Sequence, residues 1–121
     1  MMKFVIQTLD FSLLKVKLKF DKQWSDEKVT TIERKYKNFL YLLWKYRAQH
    51  LIVPTDDVDQ FWHEHILDTR SYREHTQLIF GDYLDHDPYA ALKADSIESL
   101  VEALNKTASL YFTEFNEEYC D

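Results

Sequence analysis

The scarcity of glycine constrains the fold of this chain more than any other feature of its sequence. Its 121 residues include one glycine and two prolines. Tight turns and phosphate-binding loops need residues that tolerate positive φ, so sandwiches, barrels and glycine-rich nucleotide-binding folds are disfavoured. The length and the 45% apolar content suit one sizeable core. We therefore predict an all-α fold, in which residues 1–121 form one compact domain, a bundle of about four or five helices.

Capping residues and apolar spacing predict the clearest of these helices. Ser25 is a good N-cap, and the apolar stripe behind it predicts a helix that runs to about Arg47. Pro54 interrupts the pattern, and a second helix is expected from about Asp57. The large aromatic residues are interpreted as core rather than as a stacking platform for bases: Trp24, Trp44, Phe61, Trp62 and Tyr111.

Two further helices are predicted in the second half of the chain. Asp68 offers a new N-cap, and the helix that it begins is expected to end at Gly81, a residue suited to a left-handed C-cap. The stretch that follows predicts a loop with at most a short turn of helix. A long helix over residues 96–119 closes the chain. Its predicted buried stripe is Ile97, Leu100, Val101, Leu104, Ala108, Tyr111 and Phe115.

The stretch "LLKVKLKF" near the start of the chain is ambiguous. It alternates apolar and basic residues with period two, as a half-buried strand does. However, a capping residue precedes it and no turn follows that could return a partner strand. We therefore predict a helix over about residues 10 to 20.

The formal charge of −6 disfavours general nucleic-acid binding, which needs a basic surface. Lys15, Lys17 and Lys19 leave a local basic stripe open, but solvated helix faces explain them more simply. Cys120 is the one cysteine, so no internal disulfide can form. No stretch approaches the roughly 20 apolar residues of a membrane span. We expect a soluble, cytoplasmic protein that does not associate with membranes.

Most of the functional information lies in "VDQFWHEHILDTRSY", residues 58–72. Histidines, acids and aromatics in such density indicate either a binding site or a polar network that pins two helices together. His50 and His75, in contrast, are interpreted as ordinary surface residues. Arg73 suits either an anionic ligand or a salt-bridge network. The candidate binding residues are Trp62, His63, His65, Asp68, Tyr72 and Arg73.

A metal site is the alternative interpretation of the same histidines. On a helix, His63 and His65 lie about 200° apart and cannot readily bind one ion together, whereas Asp59 and His63 have the favourable i, i+4 spacing. A site forms if His86 folds back from the later loop onto Asp59 and His63. The candidate ligands are thus Asp59, His63, His65 and His86, and the ion would be zinc or iron. The structural interpretation requires no cofactor.

The stretch from residue 53 to residue 89 resembles the glycine-rich domain-containing protein-like family. The signature is Trp-His-x-His-x-Leu, then an acid or amide, a tyrosine four residues later and an aromatic-glycine pair. The resemblance covers about residues 10 to 119 and is closest to bacterial single-domain members, which lack the glycine-rich segment. Its matching residues are Trp62, His63, His65, Leu67, Asp68, Tyr72, Phe80 and Gly81.

The resemblance implies an all-helical fold and leaves the biochemical activity undefined. Many relatives have an acid at the position of His75, a cysteine at that of Thr76 and a histidine at that of Asp85, so this chain departs from the family pattern there. We expect a small binding or interaction protein whose partner is another protein or a small ligand. The alternative is a transition-metal-binding protein or metal-dependent enzyme; the sequence leaves open whether the protein is an enzyme at all.

Overall fold

The computed structural model describes residues 1–120 and shows seven helices and no strand in that part of the chain. The prediction of an all-helical fold is confirmed, while the predicted number of four or five helices is too low. The helices are α1 (Met2–Gln7), α2 (Ser12–Lys22), α3 (Asp26–Tyr46), α4 (Asp56–Leu67), α5 (Thr69–Phe80), α6 (Ala90–Lys93) and α7 (Ile97–Phe115).

The two helices in excess of the prediction are the short ones, α1 and α6. α1 has six residues and no side-chain cap, so it would be marginal in isolation. It is held by packing on α3, where Ile6 is fully buried and the Lys37 ammonium donates to the Gln7 carbonyl at 3.1 Å. α6 has four residues and no buried side chain. Tertiary contacts rather than helix propensity account for α1, which is why the sequence pattern did not indicate it.

The ambiguous stretch near the start of the chain is helical, as predicted. Asp10 lies just before α2, and its carboxylate accepts from the Ser12 amide at 2.9 Å. Leu14 and Leu18, which are spaced by one turn, supply the buried face. The three lysines of this stretch lie outside the buried face and form ion pairs. Lys15 pairs with Glu33, Lys17 with Asp21 and Glu64, and Lys19 with Asp26.

The predicted boundaries of α3, α4 and α5 hold to within about a residue. The Ser25 hydroxyl accepts from the Lys28 amide at 3.1 Å at the start of α3. α4 begins one residue earlier than expected because Thr55 caps it. Asp68 caps α5, and Gly81 ends it with a φ of 76°.

The prediction for α7 was partly wrong. Tyr111 is fully buried, but Ile97 and Val101 are 81% and 49% exposed, because the first two turns of the helix have no element packed over their outer face. The helix also ends at Phe115 rather than near residue 119, since Asn116 adopts a left-handed φ of 52°. Trp44 on α3, expected in the core, is 43% exposed.

α3 is the central element of the fold and positions the others. It packs against α1, α2, α4 and α7, while α4 also contacts α2 and α5. The apolar side chains buried between these helices form one cluster. No helix within residues 1–120 combines the length and the apolar character needed to cross a bilayer.

Candidate functional site

α4 directs its two motif histidines to opposite environments. The His63 side chain is 53% exposed, whereas His65 is 1% exposed. Residues two apart on an α-helix point about 200° away from each other. The structure therefore separates the two imidazoles, as the helical interpretation of the motif required, and they do not face one ion.

Three of the four predicted metal ligands lie together: Asp59, His63 and His86. Asp59 and His63 are one turn apart on α4, and His86 comes from the loop after α5. The Nε2 atoms of the two histidines are 3.1 Å apart. One carboxylate oxygen of Asp59 is 2.8 Å from His86 Nε2, and the other is 3.3 Å from His63 Nε2. His65, the fourth predicted ligand, lies outside this group.

His86 is held in place by two residues of the motif. Its imidazole stacks on the Trp62 indole, with the ring planes at 3° and the centroids 3.9 Å apart. The Trp62 Nε1–H donates to the Tyr72 hydroxyl at 2.9 Å, and that hydroxyl donates to the Leu84 carbonyl at 2.6 Å. Because Leu84 precedes His86 by two residues, this chain of hydrogen bonds anchors the loop that carries the imidazole.

Hydrogen bonds alone do not account for all three contacts among Asp59, His63 and His86. An ionised carboxylate only accepts, so each imidazole would need an Nε2–H that points at Asp59. Two protonated Nε2 atoms cannot then bond to each other, although they lie 3.1 Å apart. A cation placed between the three side chains would accept a lone pair from each of them. Two imidazoles and one carboxylate are a donor set suited to zinc or ferrous iron.

His65 belongs to a second cluster, which is buried. Its Nδ1 is 2.7 Å from the Tyr36 hydroxyl, and its Nε2 is 2.9 Å from Nδ1 of His75. The rings of Phe11 and Tyr72 pack edge-on against the imidazole, with centroids 4.8 and 4.9 Å away. Burial lowers the pKa of His65 to about 3, so the imidazole is neutral near pH 7. His65 is thus a satisfied polar core residue in this structure.

The interpretation of His75 as an ordinary surface residue was wrong. Its side chain is half-buried between α5 and α2, it hydrogen-bonds to His65, and burial lowers its pKa. Tyr36, the other partner of His65, lies on the buried face of α3, where the sequence pattern predicts only an apolar stripe. Both contacts join side chains of different helices, α3 with α4 and α4 with α5. The one sequence signal for them was a histidine on the buried face of α4, which needs polar partners.

The remaining residues of the predicted binding cluster have separate roles. Asp68 is exposed, and its carboxylate accepts from the Ser71 amide at the start of α5. Arg73 is exposed and forms no ion pair with any residue in 1–120. Trp62 and Tyr72 are buried and support His86. The six residues therefore do not line a single site, and ligand binding by them stays a prediction.

Comparisons with known proteins agree with the resemblance drawn from the motif. The chain is 43% identical over 56 residues to glycine-rich domain-containing protein 1 of Arabidopsis thaliana. This region is 44% of the chain and 7% of that much longer relative. No solved structure matches. The model of the UCP032817-like family matches residues 3–110. The chain therefore belongs to the UCP032817-like family.

Proposed function

We propose that this protein binds a divalent transition-metal ion, zinc or ferrous iron, through Asp59, His63 and His86. The observation that carries the proposal is the convergence of three donor side chains from two separate segments, with all three ligand atoms within 4.8 Å of one another. A pair one turn apart on α4 supplies two donors, and an anchored loop supplies the third. Local helix geometry alone would have brought together only the first two.

The distances between the donor atoms support this proposal. Zinc bonds of about 2.0–2.2 Å in a tetrahedral site place neighbouring donors roughly 3.3 Å apart, and an octahedral ion places them roughly 3.0 Å apart. The two Nε2 atoms are 3.1 Å apart, His86 Nε2 is 2.8 Å from one Asp59 oxygen, and His63 Nε2 is 3.3 Å from the other Asp59 oxygen. Hydrogen-bonded side chains lie at similar separations, so the distances are compatible with an ion, and the proton count given above is what favours one.

The number of protein ligands also determines whether a bound ion can accept a further ligand. Three protein ligands leave at least one coordination position for water or for another ligand, which is the arrangement of ligand-accepting sites rather than of closed structural ones. His63 is more than half exposed, so an ion would be reached from solvent. His65, hydrogen-bonded to Tyr36 and His75, contributes no ligand.

Metal titration of matched variants tests this proposal. Chelator-stripped protein is titrated with zinc in a calorimeter, and the bound metal per chain is measured by mass spectrometry. We expect one zinc per chain for the wild type and at least tenfold weaker binding for His63→Gln, since one of three ligands is lost. His50→Gln is the control, because it removes a histidine from outside the donor set. Absence of stoichiometric zinc in the wild type, or equal affinity in His63→Gln, would refute the proposal.

A second candidate function, protein interaction, is favoured by the outer face of α2. Leu13, Val16 and Phe20 follow helical spacing on this face and are 86%, 58% and 84% exposed. Exposed apolar stripes of this kind commonly mark interaction surfaces. A two-fold symmetric contact with a second copy of the chain would bury the stripe against itself, and we propose this as its occupant.

Light scattering during size-exclusion chromatography tests the α2 contact. We expect the mass of the wild type to rise towards that of a dimer with increasing concentration, and we expect a Leu13→Glu, Phe20→Glu variant to remain monomeric. Leu78→Glu is the matched control, because Leu78 is an exposed leucine on α5. A wild type that stays monomeric at millimolar concentration would refute self-association.

A further inference from the structure

A large cleft lies beside the candidate metal centre. It has a volume of about 790 Å³, which falls in the range of ligand-binding pockets, roughly 300–1,000 Å³. Its walls come from α3, the segment between α3 and α4, the start of α4, the loop that carries His86 together with α6, the first half of α7, and residues 119 and 120. Most of the lining is apolar, and its main contributors are Ile32, Ile52, Pro54, Leu100, Val101 and Leu104.

The cleft shares two side chains with the metal centre. Asp59 and His86 belong to its lining as well as to the donor set. An ion bound to them would therefore lie at the wall of the cleft, and its open coordination position would be available to a molecule held there. The apolar walls would then contact the rest of that molecule.

Two of the other acids in the lining pair with lysines, and the third is hydrogen-bonded to a neutral amide. Asp56 accepts from the Gln60 amide at 2.7 Å, Asp57 pairs with Lys28 at 3.4 Å, and Asp87 pairs with Lys93 at 3.0 Å. With a divalent ion in place, the donor set of one carboxylate and two neutral imidazoles has a net charge of +1. The open coordination position of the ion then favours an anion.

We propose that the cleft binds a small monocarboxylate with an unbranched apolar chain, whose carboxylate completes the coordination of the metal ion. This inference rests on the proposed metal site. The carboxylate would bind to the ion next to Asp59 and His86, and the chain would lie along the apolar wall towards Val101 and Leu104. Each buried methylene adds to the affinity, so longer chains bind more tightly up to the length of the cleft.

Calorimetric titration with octanoate tests this proposal. Zinc-loaded protein, desalted to remove free zinc, is compared with the metal-free protein. We expect binding to the zinc-loaded form and at least tenfold weaker binding without zinc. Hexanoate, which has two methylenes fewer, should bind about tenfold more weakly than octanoate. 1-Octanol and octylammonium, which have the same number of carbon atoms and no carboxylate, should also bind at least tenfold more weakly.

A pair of variants on α7 locates the ligand. Val101→Trp fills the cleft away from the donor set and should abolish octanoate binding while zinc binding is unchanged. Ile97→Trp, one turn earlier on the same helix and outside the lining, is the matched control and should leave both unchanged. Equal octanoate binding without zinc, tighter binding of octylammonium, or an unaffected Val101→Trp would overturn the inference. Zinc binding without octanoate binding would overturn this inference alone, whereas the absence of zinc binding would overturn the metal site as well.

Discussion

Replacing Tyr72 with phenylalanine separates the anchoring of the metal loop from the packing of the core. The Tyr72 hydroxyl accepts from Trp62 Nε1 at 2.9 Å and donates to the Leu84 carbonyl at 2.6 Å. Burial raises the pKa of Tyr72 to about 12, so the phenol keeps its proton throughout the working range. Tyr72→Phe keeps the ring and removes both hydrogen bonds, which isolates the contribution of one oxygen atom.

The loss of folding stability in Tyr72→Phe follows from the two groups that lose their hydrogen-bond partner. The Trp62 N–H and the Leu84 carbonyl belong to buried residues, and each unsatisfied buried group costs about 1–3 kcal/mol. The free energy of unfolding should therefore fall by at least about 2 kcal/mol. For a chain of 121 residues this corresponds to a Tm lower by roughly 6–10 °C. Zinc affinity should also fall, by roughly tenfold, because the loop that carries His86 loses its anchor.

Urea unfolding followed by circular dichroism measures the first effect, and zinc titration of the folded variant measures the second. Tyr83→Phe is the control, because Tyr83 is half-exposed and its hydroxyl forms no hydrogen bond within residues 1–120. It should change stability by less than about 0.5 kcal/mol. A Tyr72→Phe protein as stable as Tyr83→Phe, with wild-type zinc affinity, would show that the hydroxyl does not hold the loop.

Three further predictions concern stability. Burial lowers the pKa of His65 from 6.5 to about 3, so protonation favours the unfolded chain. The contribution of the neutral imidazole to the free energy of unfolding is therefore fully present above pH 6.5 and is lost as the pH falls towards 3. The loss should reach about 2 kcal/mol by pH 5, and His75 should add to it; urea unfolding that is unchanged between pH 7 and pH 5 would contradict this. Thr107→Val should cost about 1–3 kcal/mol, because the Thr107 hydroxyl accepts from the Val53 amide at 3.0 Å, and hydrogen exchange at that amide should accelerate. Gly81→Ala should lower the free energy of unfolding by about 1 kcal/mol. The cause is the φ of 76°, because an added Cβ meets no atom within 4 Å. An unchanged Tm would count against backbone strain at this residue.

Relations within one or two turns could be predicted from the sequence. The Ser25 and Asp68 caps and the left-handed Gly81 were expected from residue type, and they form as expected. The approach of Asp59 to His63 and the separation of His63 from His65 follow from the helical repeat. Such features depend on neighbouring backbone groups, whose geometry is set once a segment is helical.

Relations between different elements of the fold were decided by packing. The position of His86 depends on stacking against Trp62 and on the hydrogen bond that anchors Leu84. The partnership of His65 with His75 depends on how α4 and α5 meet at the bend. These contacts are set by the way whole helices fill shared volume, which no local spacing records. The same reason explains α1, which is held by tertiary contacts, and Ile97 on α7, which is apolar but exposed. The sequence alone thus determined the five longer helices and the candidate donors, and the tertiary structure decided which of those donors meet.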